Sequence, residues 1–112
     1  MPWPTRSKRL GKTNVTQVGG VIQWFTTCPA ENTWLVKDFS IFNYAASAVD
    51  VALWVRIDNV PHVFAHFPAV GAGRAVGTIQ RSLVVHGGES IGFSTSVNAK
   101  CDVLVSGAQL GP

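Results

Sequence analysis

The sequence has little charge and no long apolar run. Charged residues make up 13% of its 112 residues, against 46% hydrophobic ones, which excludes the charge-rich, aromatic-poor composition of a disordered chain. No apolar stretch approaches the roughly 18 residues that a membrane-spanning helix needs. The basic residues near the start are followed by no apolar h-region, so neither a secretion signal nor a membrane partner is expected. Cysteine is scarce, with Cys28 and Cys101 alone. They could bond only if the fold brings them together, and without a secretory route two buried thiols are the expectation.

Acidic residues are absent until Glu31, whereas Arg6, Lys8, Arg9 and Lys12 fall in the first twelve positions. The remainder holds five basic against six acidic residues, so the net charge of +3 belongs to this N-terminal stretch. A folded part so near neutrality is a poor platform for nucleic acid, which calls for Lys and Arg gathered on one face. Residues 1–19 read as a basic extended arm, with Trp3 between Pro2 and Pro4 as an aromatic anchor for a neighbour. A flexible tail is the plainer reading of the same stretch. Residues 20–112 are then a single domain, of a size that can bury a modest core. The low charge fits either a surface covered by partners or the apolar surface that any small β domain shows.

From Val21 onward the pattern is of short strands separated by turn residues. Val21 to Thr27 is rich in β-branched and aromatic residues and stops at Pro29. Trp34 to Phe42 follows, with Leu35, Phe39 and Ile41 on one parity and Trp34, Val36 and Phe42 on the other. The cleanest alternation sets Val49, Val51, Leu53, Val55 and Ile57 against Asp50, Ala52, Trp54, Arg56 and Asp58, a half-buried strand. Val63 to Phe67 lies between Pro61 and Pro68, which suits a sheet edge. Ala75 to Val85 is a longer strand with a bulge expected at Gly77, ended by His86-Gly87-Gly88. Strands about Ile91 to Thr95 and Cys101 to Val105 complete the set. The fold class is therefore all-β, an antiparallel β-sandwich or jelly roll of about seven to eight strands with an extended N-terminal arm.

Chemistry-bearing constellations are weak. His62 and His66 stand four apart on one side of a strand, too far for an easy shared ligand set, and His86 lies elsewhere. Cys28, Ser90 and Glu89 have no neighbouring base and orienting group. His86 and Glu89 span a glycine turn that could bring imidazole and carboxylate together, but turn position accounts for both. Gly71-Ala72-Gly73 lacks the Lys-Ser/Thr of a phosphate loop, and Asn14-Val15-Thr16 is a sequon without a secretion route. The expectation is a non-enzyme with no cofactor and no metal. Trp34 and Trp54 are candidate contacts for a protein partner or a glycan, Trp54 because it sits on the polar face of the cleanest strand.

The run Leu35-Val36-Lys37-Asp38-Phe39-Ser40-Ile41-Phe42-Asn43, followed by Ala48-Val49-Asp50-Val51-Ala52-Leu53-Trp54-Val55, resembles small β-sandwich structural proteins of tailed bacteriophages. Ser82 to Ile91 is similar to their Val-Leu-x-x-Gly-Asp-x-Ile turn, with Glu89 in place of Asp, and Asp102 to Gly107 to their closing strand. The likeness covers residues 20–108 and leaves out the basic arm. It implies a virion component, a capsid decoration protein or a minor head or tail protein. Its partners would be the major capsid or tail proteins of the same virion, with a homo-oligomer as the usual consequence. Trp3, Arg6, Lys8, Arg9 and Lys12 would then strap an acidic neighbour. Two other readings stay open, a carbohydrate-recognising tail-tip module and nucleic-acid contact through an inward-pointing arm.

Overall fold

Alternation of β-branched residues with small or polar ones builds every layer of this molecule, and each departure from it marks a bulge or a turn. The computed structural model describes residues 5–13, 16–17, 19–44, 46–71, 75–97 and 99–111. Nine strands follow in order: β1 (Thr5–Thr13), β2 (Thr16–Gln17), β3 (Gln23–Thr27), β4 (Thr33–Asn43), β5 (Val49–Ile57), β6 (Val60–Val70), β7 (Ala75–His86), β8 (Ser90–Thr95) and β9 (Ala99–Leu110). They form two antiparallel sheets, one ordered β1-β9-β4-β7 with the two-residue β2 also on β9, the other ordered β3-β8-β5-β6.

The pairings nest. β5 pairs with β6, β4 with β7, β3 with β8 and β1 with β9, so the chain is one long hairpin folded back on itself. Rolling it brings β9 against β4 and β8 against β5, which closes two four-strand layers. That is a jelly roll, the second of the two architectures the strand pattern allowed. The hairpin's tip is the turn Asp58-Asn59, where both residues have positive φ (51° and 64°), as a two-residue turn with the strands' own twist requires.

Val49, Val51, Leu53 and Val55 of β5 face inward and are buried, meeting Ile91 and Phe93 of β8 and Val103 and Val105 of β9 in one core. Phe39 of β4 packs on Phe67 of β6 across the layers, with ring centroids 4.7 Å apart. Each such side chain removed from water contributes about 1.5–3 kcal/mol. Asn43 is also buried, its amide donating to the carbonyls of Ser47 and Val70 at 2.9 and 3.0 Å, so it ties the β4–β5 corner to the end of β6. Cys28 and Cys101 are both buried thiols. Burial, and next the charge of Asp102, pushes the Cys101 thiol pKa up.

Strand β4 does not keep one parity. Trp34 and Val36 are buried, Lys37 and Asp38 are exposed, and Phe39 and Ile41 are buried again. The register on β9 passes from Val36 opposite Gly107 to Asp38 opposite Ser106, so Lys37 is an extra residue in a bulge. A Cβ on Gly107 would sit 1.9 Å from the Leu35 carbonyl oxygen, so the bulge can form only against glycine. The expected grouping of Leu35 with Phe39 and Ile41 is thereby corrected: the bulge moves Trp34 and Val36 to the core side instead. On the β7 side the register also shifts next to Gly77, between the pairs Asp38–Thr78 and Ile41–Val76.

The N-terminal stretch differs from a free arm. Residues 5–13 form β1, the edge strand of the larger sheet, and in it Arg6, Lys8, Arg9 and Lys12 stand opposite Gln109, Gly107, Ser106 and Leu104. Backbone donors and acceptors along β9 supply the partner that composition could not foresee. Trp3 lies outside the described residues, as do Asn14 and Val15 of the sequon. Strand β6 is the edge of the smaller sheet, and there Pro61 and Pro68 cost no ladder bond toward a further strand.

Candidate functional site

The outward residues of the smaller sheet fall into register across all four strands. Trp24 of β3 stands opposite Gly92 of β8, Gly92 opposite Trp54 of β5, and Trp54 opposite Val63 of the edge strand β6. Glycine at the second position lets Trp24 close over the backbone, since a Cβ on Gly92 would lie 2.7 Å from the Trp24 ring. The Arg56 guanidinium covers Trp24 with its carbon 4.8 Å from the ring centroid, and donates to the Ser90 hydroxyl at 3.2 Å. The Thr27 and Ser90 hydroxyls bond to each other at 2.8 Å. Trp54 donates its indole N–H to the Ser94 hydroxyl at 2.9 Å, which leans the ring toward β8 and leaves it half-buried.

Two depressions flank this aromatic row. At one end a cleft of about 310 Å³ is lined by Arg56, Asp58, Asn59, Gly87, Gly88 and Glu89. Its far wall is the β7–β8 turn, where Gly88 takes a positive φ of 88° and Gly87 presses on the Ala30 backbone. The Glu89 carboxylate accepts the His86 backbone N–H at 2.8 Å, so this pair closes a turn and the imidazole takes no part. At the other end a pocket of about 170 Å³ is lined by Asp50, Ala52, His66, Ser94, Thr95 and Ser96. In register, Ala52 lies between Ser94 and His66, and Trp54 is the next outward residue along β5.

The larger sheet also turns apolar side chains to solvent. Val84, Leu35 and Ala108 form one cross-strand row, and Ser40 with Leu104 and Phe42 with Asp102 form others. Val84 is 44% exposed, Phe42 38% and Tyr44 52%. The Phe42 and Tyr44 rings lie 4.9 Å apart, and the Lys100 ammonium lies 5.3 Å from the Tyr44 centroid. Tyr44 donates its phenol to Asp102 at 2.6 Å, and this hydrogen bond, more than desolvation or the carboxylate's charge, raises the phenol pKa above its ordinary 10.0.

The tryptophans chosen from sequence divide. Trp54 is on the outer face, as its strand parity required. Trp34 is corrected as a contact residue: it is 3% exposed and its N–H is taken by Gln109 at 3.0 Å, so it is a core side chain. His62 and His66 are likewise not on one side. The register slips at Phe64, which sets His66 opposite outward Ala52 and His62 opposite inward Val55. Sequence reasoning missed Trp24, Arg56 and Gly92, because their juxtaposition depends on β3 and β5 flanking β8, a pairing no local pattern encodes.

No protein family model and no curated protein sequence matches the chain. Among solved structures it is similar to that of Eiger TNF from S. frugiperda, at 5% identity and a TM-score of 0.44, covering 100% of this chain and 94% of that one. It is also similar to a chain in the structure of infectious bursal disease virus Gt strain, at 5% identity and a TM-score of 0.49, covering 96% of this chain and 32% of that one. The present chain thus spans about a third of the length of the virus chain. The jelly-roll assignment stands on the nested strand pairing itself.

Proposed function

We propose that this protein is a structural component of a tailed-bacteriophage virion, a capsid decoration protein that docks on neighbouring capsid subunits and works by binding, not catalysis. The observation that carries the reading is the outer face of the larger sheet. Exposed Val84, Phe42 and Tyr44 stand there with half-buried Leu35 and Leu104, and Asp102 and Lys100 supply a polar margin. Apolar side chains gathered on one face with a polar margin mark protein contact surfaces. The basic strand β1 is an edge strand of the same sheet, and the positive charge that Arg6, Lys8, Arg9 and Lys12 bring to its sequence favours an acidic neighbour. The resemblance of the β4–β5 and β7–β8 segments to phage β-sandwich proteins points the same way. Several copies would be related by closed rotational symmetry.

Quantitative mass spectrometry of purified particles tests this. A decoration protein is expected in hundreds of copies, and a Phe42→Asp/Val84→Asp double variant should fall to a small fraction of that occupancy. A handful of copies per particle would overturn the decoration reading in favour of a vertex or tail-tip position. Absence from particles would end the virion assignment.

A further inference from the structure

The smaller pocket on the opposite face has a composition that the docking role does not use. Its floor is Ala52, the smallest outward side chain of β5, set between Ser94 on β8 and His66 on β6. Two hydroxyls of its polar lining accept hydrogen bonds from within the chain. The Ser94 hydroxyl oxygen accepts the Trp54 indole N–H at 2.9 Å, and the Ser96 hydroxyl oxygen accepts the Asp50 backbone N–H at 3.2 Å. A hydroxyl that accepts in this way keeps its own proton for a further partner. Thr95 is committed inward, donating to the Val97 carbonyl at 2.8 Å, and holds the β8–β9 loop that carries Ser96. His66 is exposed and adds a ring that both donates and accepts when neutral, and Asp50 contributes a carboxylate.

Trp54 supplies the remaining element. Its N–H is bound to Ser94, so the half-buried indole has no donor left for a ligand, and as the next outward residue of β5 it stands beside the pocket, beyond Ala52 and Ser94. The electron-rich face of an indole attracts the slightly positive C–H groups of a saturated ring, and a few convergent polar groups then fix that ring's orientation. A pyranose has both sides, an apolar C–H face and a rim of hydroxyls. At about 170 Å³ the pocket accepts one such ring and not a folded peptide segment.

We infer that the depression floored by Ala52 beside Ser94 and Trp54 is a subsite for one pyranose ring, stacked on Trp54 and held through its hydroxyls by Ser94, Ser96 and His66. The inference is independent of the docking reading, which uses the other sheet. A protein found in particles could lack this site, and a protein absent from particles could have it. The ring could arrive as a free sugar or as one unit of a polysaccharide, and two measurements separate these sources. Saturation-transfer NMR with methyl hexopyranosides reads the free ring, and an array of neutral and acidic glycans reads the polymer. Binding in either supports the site. Trp54→Ala should weaken it by at least about tenfold, the loss of one stacked ring. Ala52→Leu, which fills the floor and leaves every polar partner in place, should abolish binding in a protein whose circular dichroism is unchanged. Lys37→Ala, on the other sheet, should bind as the parent does. No binding in either measurement, or binding that survives Ala52→Leu, would overturn the proposal.

Discussion

The two outer faces arise from the same period-two pattern, yet they hold their aromatic side chains by different means. On the smaller sheet the indoles are held within the chain, Trp24 under Arg56 and across Gly92 and Trp54 bonded to Ser94, with Val63 exposed beside Trp54. On the larger sheet Phe42 and Tyr44 lie against each other, Lys100 and Asp102 engage Tyr44, and Val84 is exposed. On the smaller sheet Gly92 leaves room for the Trp24 indole and Ala52 floors a pocket, while the outward rows described for the larger sheet carry Leu35, Ser40, Leu104 and Ala108.

Substitutions at the glycines break this contrast most severely. Gly107→Val should cost more than about 4 kcal/mol, in the range where a domain this size unfolds, because the new side chain would strike the Leu35 carbonyl and erase the β4 bulge. A urea melt followed by circular dichroism reads the loss. If the protein melts like the parent, the bulge is not the device that turns Trp34 and Val36 inward. Gly92→Ala should cost less, about 1–3 kcal/mol, since part of what the methyl meets is the Trp24 ring, which can swing away, although the Gln23 carbonyl at 2.7 Å cannot. Quenching of tryptophan emission by iodide should rise as Trp24 is displaced. Arg56→Ala should cost about 1 kcal/mol, the combined scale of a cation–π contact and a side-chain hydrogen bond, and should raise the same quenching without altering the larger sheet.

The smallest effect in stability gives the cleanest reading. Tyr44 is the sole tyrosine in the chain, so the phenolate absorbance titrates one residue. Its midpoint should lie above 10.0, and Asp102→Asn should bring it back toward that value. Because the folded pKa is raised, the Tyr44–Asp102 bond contributes in full below the ordinary phenol pKa and is lost as pH climbs through the raised one. An unshifted midpoint would mean that the outer face of the larger sheet carries no fixed polar margin.

Much of this architecture was legible residue by residue. The alternation from Val49 to Ile57 identified β5 and placed Trp54 outward, and the prolines flanking Val63 to Phe67 identified an edge strand. What was not legible depended on distant chain. The bulge at Lys37 needs Gly107, some seventy residues on, to form, so parity along β4 was misassigned after Val36. The edge strand β1 is basic and glycine-containing, with nothing local to favour a strand, and it is ordered by the backbone of β9. The turn Asp58-Asn59 lacks the glycine that usually announces a two-residue hairpin. Of the candidate site, Trp54 was visible because parity is local, while Trp24, Gly92 and Arg56 become neighbours only through the rolled topology.

The nested pairing also dictates a sequence of events in time. β5 and β6 are joined by two residues, whereas β1 and β9 meet from opposite ends of the chain, so loop-closure entropy is smallest at the tip and largest at the open end. Assembly that starts at Asp58-Asn59 and proceeds outward makes this a slow folder, and the basic strand is the last to be recruited and the first to exchange its amide protons.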